Sequence, residues 1–501
     1  MIDPAVPAPG RFSLWSAIFA SPQAAFTAFA LVHTAVWTAL PAALFPNLPL
    51  DLIEALVYGR EWQLGHDKLP PLPWWIVEIL YRVFRSDLAY YLVAQLAVLA
   101  AFALVFATAR KIVGGWGAMA AVLIIDGLHY FNFTAPKFNH DVIQLPFWAL
   151  AGFAFHAALR ENRMLHWLAL GLGLGLAFWS KYFFIVLAVP LVLFLLLDRE
   201  ARATLRTPGP WLGAAIAFAV AAPHLLWLVQ NDFLPLHYAN ARALPARGAI
   251  DHILYPAQFL GAQFAALLPA FFIAGTMFVF VERRKDAAAF DRRIVTLLTF
   301  GPMASVIALS AVSGRALVTM WGYPLWLFFG LWVVMASRTV VEALRVKYTA
   351  AAWAGMFGMY VLGFVGHYAV MPHYTGHYYA SLFPGDALAQ RIAEGFARRT
   401  GRPLDYLIST MWLGGNVSHY AAGVRPRVLI DGMPERTPWI DLADLRRRGA
   451  VVLWTDGYPD QMPDRYRAIA AGAEIQPAFV LPFRRTGDDL HVGWAILLPE
   501  K

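Results

Sequence analysis

The chain of 501 residues contains no cysteine. Disulfide bonds, thiolate metal sites and thiol chemistry are therefore excluded. Charged residues are scarce as well, at 14%, whereas a soluble globular domain carries about 25%. The sequence also lacks a Walker lysine motif, a glycine-rich dinucleotide loop, a serine nucleophile elbow and a His-Glu-x-x-His pair. These absences exclude the common motif-based nucleotide, hydrolase and metalloprotease sites.

Hydrophobic residues make up 59% of the chain, and its mean hydropathy is +0.54. A helix needs about 20 apolar residues to cross a bilayer. Apolar runs of this kind recur along the chain and predict a polytopic helical membrane protein. The predicted spans number about eleven and lie near residues 24–45, 88–108, 115–131, 142–158, 164–180, 182–197, 210–229, 254–281, 294–313, 316–336 and 348–370.

The net charge is +8, and the basic residues cluster in alternate loops. This pattern indicates that the positive charge reflects membrane topology rather than nucleic-acid binding. The five basic loops fall on one side under a single count of spans, and the positive-inside rule makes that side cytoplasmic. The opposite loops and the C-terminal tail are then periplasmic if the source is a Gram-negative bacterium. The N-terminus lacks the basic start of a cleavable signal, so we expect a multi-pass protein of the bacterial inner membrane. The basic loops contain Arg110 and Lys111; Arg160 and Arg163; Arg199, Arg202 and Arg206; Arg283, Arg284, Lys285, Arg292 and Arg293; and Arg338, Arg345 and Lys347.

The composition changes near residue 372, where apolar runs shorten and charge rises. Short β-like runs alternate there with helix-like stretches, a pattern typical of a small α/β domain. We therefore predict a membrane domain over 1–371, with outer loops at 46–87, 131–141 and 230–253, and a periplasmic α/β domain over 372–501. The predicted strands are Tyr406–Ser409, Val428–Ile430, Val451–Trp454, Phe479–Pro482 and Val492–Leu498, and the predicted helices include Ala387–Arg399 and Leu442–Arg447.

The segment from Asp51 to Trp75 is dense in charge of both signs, although its surroundings are apolar. Ionisable groups held at a membrane are functional candidates. Asp51 could act as a general base, or it could only favour the start of the following helix. Lys68 precedes a stiff Pro-Pro turn and could contact either a substrate phosphate or lipid headgroups. His66 and Asp67 could form an acid/base or metal pair, but their spacing is too generic to assign a metal.

Other outer loops carry further candidates, each with a structural alternative. Asp141 begins a span and would face Asp51 with a second carboxylate, although the helix dipole also favours it there. Lys137 shares that loop. Lys181 sits in a tight turn between spans, where a lysine can also snorkel to the interface. Arg315 could pair with a phosphate or anchor the helix end.

The order of these motifs resembles the GT-C glycosyltransferases, and in particular the bacterial glycosyltransferase family 39 group. An Asp ends the first span, an acidic helix follows, and Gly65-His66-Asp67-Lys68-Leu69-Pro70-Pro71-Leu72 precedes a second outer helix. The Asp141 loop, the Trp179–Tyr182 turn and the Trp227–Phe233 loop are similar to later loops of that family. The group is related to protein O-mannosyltransferases and lipid A aminoarabinose transferases, and the resemblance covers about residues 20 to 340.

The resemblance implies a polyprenyl-phosphate monosaccharide as donor and inversion at the anomeric carbon on the outer face. Asp51 would deprotonate the acceptor hydroxyl, and Asp141 and Glu54 would orient the acceptor or share proton handling. Cations would stabilise the leaving phosphate, and further polar groups would contact acceptor or sugar. The cations expected at the phosphate are Lys68, Lys137, Lys181 and Arg315, and the expected acceptor or sugar contacts are His66, Asp67, His140, Arg242 and Arg247.

Leu52 stands where many relatives have a second acidic residue directly after the first Asp. The sugar stays open, and so does the acceptor, which could be the lipid A core, another glycolipid, a polysaccharide or a protein. No cofactor is indicated, and dependence on a divalent metal stays open. The alternative function is a transporter or lipid flippase, which predicts ionisable groups near the middle of the membrane. The charges gather at the outer ends of spans instead, which favours surface chemistry.

Overall fold

The computed structural model describes residues 17–242, 245–279, 287–376 and 379–500. Seven of the described helices are long and apolar enough to cross a membrane, and a bent pair, Tyr182–Leu197 with Arg199–Arg206, would add an eighth span. The helices up to residue 375 are α1 Pro22–Leu44, α2 Leu50–Gly59, α3 Leu72–Phe84, α4 Leu88–Ile125, α5 His140–Glu161, α6 Met164–Ser180, α7 Ile185–Leu197, α8 Arg199–Ala203, α9 Gly209–Gln230, α10 Leu234–Arg242, α11 Asp251–Gly275, α12 Ala289–Ser313, α13 Phe329–Ser337, α14 Ala343–Val365 and α15 Pro372–Thr375.

Helix α4 runs over 38 residues and covers the span predicted at 88–108 and the first part of the span predicted at 115–131. Gly114 interrupts it with φ 78° and ψ 172°, a conformation that glycine adopts without a steric penalty. The spans predicted at 88–108 and 115–131 are therefore two helical pieces joined at one glycine. The span predicted at 316–336 is shorter as a helix, because a 3₁₀ turn at Thr319–Gly322 precedes α13. The total of eleven spans stays a prediction.

Four of the predicted basic loops are joined by ion pairs. Lys111 pairs with Glu161 at 2.6 Å, and Arg293 contacts both Asp198 and Glu200 at 2.7 Å. Arg160 also contacts Asp291 at 3.3 Å, so the four loops lie next to one another, in agreement with the predicted common side. Of the predicted basic residues, Arg283, Arg284 and Lys285 lie outside the described residues.

The C-terminal part forms a five-stranded mixed sheet with strand order β2-β1-β3-β5-β4. The first three strands pair in parallel, and β5 pairs antiparallel with β3 and β4. Each predicted strand falls on an observed one, to within one residue at the end of β5, which confirms the α/β class, while the domain boundary at 372 stays a prediction. The elements are α16 Gly385–Thr400, β1 Tyr406–Ser409, α17 Met411–Tyr420, β2 Arg427–Ile430, α18 Leu442–Arg448, β3 Ala450–Trp454, α19 Asp464–Arg467, β4 Glu474–Pro482 and β5 Asp489–Leu497.

Helix α17 of this α/β part packs directly on α2, the helix that begins near Asp51. Gly415 permits the close approach, because a Cβ atom there would lie 2.5 Å from Ile53 Cγ2 and 2.9 Å from Val57 Cγ2. Both of these α2 side chains are buried. The α/β part therefore supports the helix that carries the predicted base.

Candidate active site

A cavity of about 420 Å³ opens where the ends of several helices meet. It gathers charged groups from α2, from the loop before α3, from the start of α5 and from the turn after α6. Four of the predicted site residues that are far apart in sequence, Asp51, Lys68, Asp141 and Lys181, thus share one space. The lining includes Asp51, Glu54, Lys68, Asn139, His140, Asp141 and Lys181, with Tyr182, Phe183, Tyr238 and Trp321 as its aromatic wall.

Asp51 lies in the first turn of α2, directly after Pro49 and Leu50. Its Oδ2 atom accepts a hydrogen bond of 3.3 Å from the Asn139 side-chain amide. Burial raises the pKa of the Asp51 carboxyl above its ordinary value, and the nearby Lys68 charge and the Asn139 hydrogen bond offset this only in part. A carboxylate with a raised pKa is a stronger base, which suits proton abstraction near neutral pH.

Lys68 forms an ion pair with Glu54, which lies one helical turn after Asp51 on α2. Its ammonium group also lies 5.3 Å from the ring centroid of Tyr238. Burial disfavours the charged form, but the Glu54 carboxylate outweighs burial and raises the pKa of Lys68. The lysine is therefore a fixed positive charge on the wall of the cavity.

Lys181 forms a second ion pair, with Asp141 at 2.5 Å. Gln144 donates to the same Asp141 oxygen at 3.0 Å, and both charged residues are buried. The ammonium group also faces the rings of Phe183 and Trp321 at 5.8 and 5.7 Å. The cavity therefore holds two lysines against three carboxylates, and each lysine is already held in place.

The loop that bears Lys68 is held from behind by the α/β part. Asp67 accepts hydrogen bonds from the Tyr58 hydroxyl at 2.9 Å and from Arg436 Nε at 2.8 Å. Arg425 pairs with Glu78 on α3 at 2.7 Å. These contacts connect α2, α3 and the loop between them to the α/β part.

His66 and Asp67 do not line the cavity, so this arrangement does not support their predicted contact with acceptor or sugar. His66 is 1% exposed and packs edge-on against Tyr58, Trp74 and Trp439. Burial lowers the pKa of its imidazole to about 3, which keeps the ring neutral. The helices and the α/β part together enclose this residue, which explains why its position was not apparent in the sequence.

The remaining predicted residues are placed differently from one another. His140 lines the cavity, and its Nε2 contacts the Pro70 carbonyl at 3.1 Å, which ties the two loops together. Lys137 is partly buried and close enough to Asp51 for its charge to lower the pKa of that carboxyl. Arg315 is not among the lining residues of the cavity. Arg247 is exposed, and the side chain of Arg242 lies outside the described residues.

Several residues of the site were missed in the sequence analysis. Asn139 and the aromatic residues Tyr238 and Trp321 carry no charge, and only their proximity to charged motifs or the high aromatic content gave any signal. Arg436 is separated from Asp67 by 369 positions, and no sequence pattern links the two. Among the described residues, no group of three or more His, Asp or Glu side chains is placed to hold a metal ion.

The chain is similar to several known proteins. A family model described as dolichyl-phosphate-mannose-protein mannosyltransferase matches residues 68–227. The lipid A galacturonosyltransferase RgtD of Rhizobium johnstonii is 27% identical over 275 residues, which is 53% of this chain and 56% of that protein. The lipopolysaccharide core galacturonosyltransferase RgtB of the same organism is 24% identical over 393 residues, 75% of this chain and 77% of that protein. The chain thus spans only about half the length of RgtD.

The fold has a counterpart among solved structures. ArnT from Cupriavidus metallidurans, bound to undecaprenyl phosphate, superposes with a TM-score of 0.61 at 14% identity, over 95% of this chain and 99% of that one. The apo form of ArnT gives a TM-score of 0.62 at 15% identity. At such low identity the superposition shows the fold alone. The chain is thus similar in sequence to mannosyltransferases and galacturonosyltransferases, and it shares its fold with ArnT.

Proposed function

We propose that the protein is an inverting glycosyltransferase that moves a hexuronic acid from a polyprenyl-phosphate donor to a glycolipid on the periplasmic face. The observation that carries this proposal is the shared cavity, where the Asp51 carboxyl, with its raised pKa, lies with the partly buried Lys68 and the buried Lys181. A transferase of this type needs a base for the acceptor hydroxyl and cations for the leaving phosphate. The cavity contains both the base and the cations, because Asp51, Lys68 and Lys181 line it together.

An apolar groove supports a donor that is linked to a lipid. It runs between α7 and α12 with a volume of about 860 Å³. Ile185, Val186 and Leu309 line both this groove and the charged cavity, so the two spaces are neighbours. Helix α7 has 13 residues, which corresponds to about 20 Å of helix. A prenyl chain lying along it would place its phosphate at the lysines.

The reaction follows from this placement. Asp51 takes the proton of the acceptor hydroxyl as the hydroxyl oxygen attacks the anomeric carbon from the face opposite the phosphate. The bond between that carbon and the phosphate oxygen breaks, and the oxygen leaves with the bonding electrons. Lys68 and Lys181 stabilise the charge that grows on the phosphate. Asp141 holds Lys181 in position, and Asp51 ends the step protonated.

The identity of the sugar and of the acceptor is proposed from the relatives. RgtD and RgtB are named as galacturonosyltransferases of lipid A and of the lipopolysaccharide core. A uronic acid brings one more negative charge into the site than a neutral hexose. Lys137 forms no ion pair with the residues that the structure describes, and its closeness to Asp51 makes it the cation that is available for this carboxylate or for the phosphate.

The test is transfer of radiolabelled sugar from a panel of polyprenyl-phosphate monosaccharides to lipid A and to complete lipopolysaccharide. Wild type is compared with Asp51→Asn and with the control Asp464→Asn, whose carboxylate is exposed on α19. We expect transfer of the uronic acid by wild type and by the control, and a loss of at least about 100-fold in Asp51→Asn. Full activity of Asp51→Asn would refute its role as base. Transfer of neutral sugars alone would refute the uronic acid donor.

A further inference from the structure

A second cavity, of about 590 Å³, lies on the same side of the membrane as the α/β part. It is bounded by the ends of α1 and α3, the start of α4 and the end of α17. It shares no lining residue with the cavity of Asp51. Its volume is within the range of about 300–1,000 Å³ that is typical of small-ligand sites. The lining is Ala42, Phe45, Tyr81, Arg85, Ser86, Asp87, Leu88, Tyr90, Tyr91, His419 and Tyr420.

The interior combines aromatic rings with polar groups that have spare bonding capacity. The hydroxyl of the fully buried Tyr90 has no hydrogen-bond partner among the described residues, and neither has Nδ1 of His419. The Tyr420 hydroxyl accepts a bond from the Leu48 backbone amide, so its own proton is still available. Buried polar groups without partners are rare and call for an explanation. Aromatic rings with unpaired polar groups form a surface that can pack against a sugar ring and hydrogen-bond to its hydroxyls.

The rim of the cavity carries the positive charge of Arg85 beside the carboxylate of Asp87, which His419 contacts at 3.2 Å. Arg85 ends α3 in the left-handed conformation with φ 51°. Glycine would adopt this conformation at a lower free-energy cost. The exposed guanidinium group of Arg85 contacts the Tyr81 ring at 5.1 Å and makes no hydrogen bond or ion pair with the described residues. A free arginine in a costly backbone position indicates that the side chain, rather than the turn, is what the position requires.

A smaller cavity of about 360 Å³ continues this rim, because Tyr81 and Arg85 line both spaces. Across the two cavities four arginines stand against two carboxylates, Glu78 and Asp87. Arginine presents a planar fork of donors that matches a phosphate or carboxylate group. The four arginines are Arg60, Arg82, Arg85 and Arg425.

Apolar side chains next to Arg85 connect the rim to the membrane. Val83, Phe84 and Leu88 are 65%, 60% and 49% exposed. They lie at the end of α3 and the start of α4, where the membrane-spanning part of the chain begins again. Exposed apolar residues beside a free arginine are typical of a surface that meets lipid headgroups. A ligand of this cavity would therefore arrive from the membrane surface.

We propose that this second cavity binds the headgroup of an anionic glycolipid, with its sugar on the tyrosines and its phosphate or carboxylate at Arg85. That this glycolipid is the acceptor rests on the proposed function. The site would hold the body of a large acceptor while another part of the same molecule reaches Asp51. The second cavity would then bind the acceptor, and the cavity of Asp51 would carry out the transfer.

The test is direct binding, which needs neither donor nor turnover. The full-length protein in detergent is titrated with diphosphoryl lipid A, dephosphorylated lipid A, phosphatidylglycerol and inorganic phosphate, with native mass spectrometry as the readout. We expect the diphosphoryl form to bind best, and Arg85→Gln and Tyr90→Phe each to weaken it about 5-fold. Tyr90→Phe removes a hydroxyl without a partner, so its folding is not at risk.

The matched control is Arg110→Gln, an exposed arginine of the same α4 helix that lies outside both cavities, just before the break at Gly114. It is expected to leave the affinity unchanged. Equal affinity in Arg85→Gln, or loss of the same size in Arg110→Gln, would overturn the proposal. Binding of phosphatidylglycerol with the same dependence on Arg85 and Tyr90 would also overturn it, since the sugar would then play no part. Failure of sugar transfer would not affect these outcomes, so the two proposals can be separated.

Discussion

Arg436 offers the sharpest test of how the α/β part supports the active site. Its Nε donates to Asp67 Oδ2 at 2.8 Å, and its Nη1 donates to Asp431. Asp67 directly precedes Lys68, so any movement of Asp67 shifts the cavity wall. The substitution is Arg436→Gln, which keeps much of the side-chain length but removes the charge.

The expected cost follows from burial. Exposed ion pairs contribute about 0.2–1 kcal/mol, whereas removing one partner of a fully buried pair costs about 3–5 kcal/mol. The Arg436 side chain is 32% exposed and that of Asp67 is 9% exposed, so solvent screens the pair in part. The Tyr58 hydroxyl still donates to Asp67 in the variant. We therefore expect a loss of about 1–3 kcal/mol in the free energy of unfolding.

Unfolding in detergent is followed by tryptophan fluorescence for Arg436→Gln, Asp67→Asn and the double variant. The double-mutant cycle isolates the coupling of the pair, which we expect at about 1 kcal/mol or more. Sugar transfer is measured on the same samples, and kcat/KM should fall because the loop of Lys68 loses its support. The control is Arg448→Gln, whose side chain is 55% exposed and pairs with Asp405 and Asp444 on the surface.

Two results would refute the reasoning. A coupling energy near zero would show that the pair does not hold the loop. An equal loss of stability in Arg448→Gln would show that any arginine of the α/β part has the same effect. Loss of stability with unchanged kcat/KM would restrict the role of Arg436 to folding.

Three further outcomes are expected. Asn139→Ala removes a hydrogen bond that lowers the pKa of Asp51, so the acid limb of the pH–rate profile, which requires the deprotonated carboxylate, should move to higher pH. Gly415→Ala should destabilise the protein by about 1–3 kcal/mol, because the new Cβ would meet Ile53 at 2.5 Å. His66→Phe should leave the free energy of unfolding unchanged or raise it, and should retain activity, since neither ring nitrogen has a hydrogen-bond partner among the described residues.

Each of these has a matched comparison. An acid limb that stays in place in Asn139→Ala would show that Asp51 is not the titrating base. Gly355→Ala adds a Cβ where no atom lies within 4 Å and is expected to cost nothing, so an equal loss there would remove the packing argument. A His66→Phe protein that folds but is inactive would restore the predicted contact between His66 and a substrate.

The sequence by itself determined the class of the protein and the candidates for its chemistry. Long apolar runs, alternating basic loops and the short strands of the tail are local patterns, and a local pattern is enough to predict each of these elements. The outer charges were also local, because a carboxylate or lysine next to an apolar span is visible in the sequence. Asp51, Lys68, Asp141 and Lys181 were all candidates on this basis.

Only the tertiary structure decided which of these charges meet and which face the cavity. Lys181 and Asp141 are 40 positions apart, and Arg436 and Asp67 are 369 apart, so their pairing depends on how helices and sheet pack. The same packing buried His66 among aromatic rings, although its neighbours in sequence made it look accessible. Periodicity and motifs indicate only which local structure a segment favours by itself. The partners of a buried charge are fixed by the whole fold, since desolvation forces each charge to find a counter-charge wherever the chain brings one.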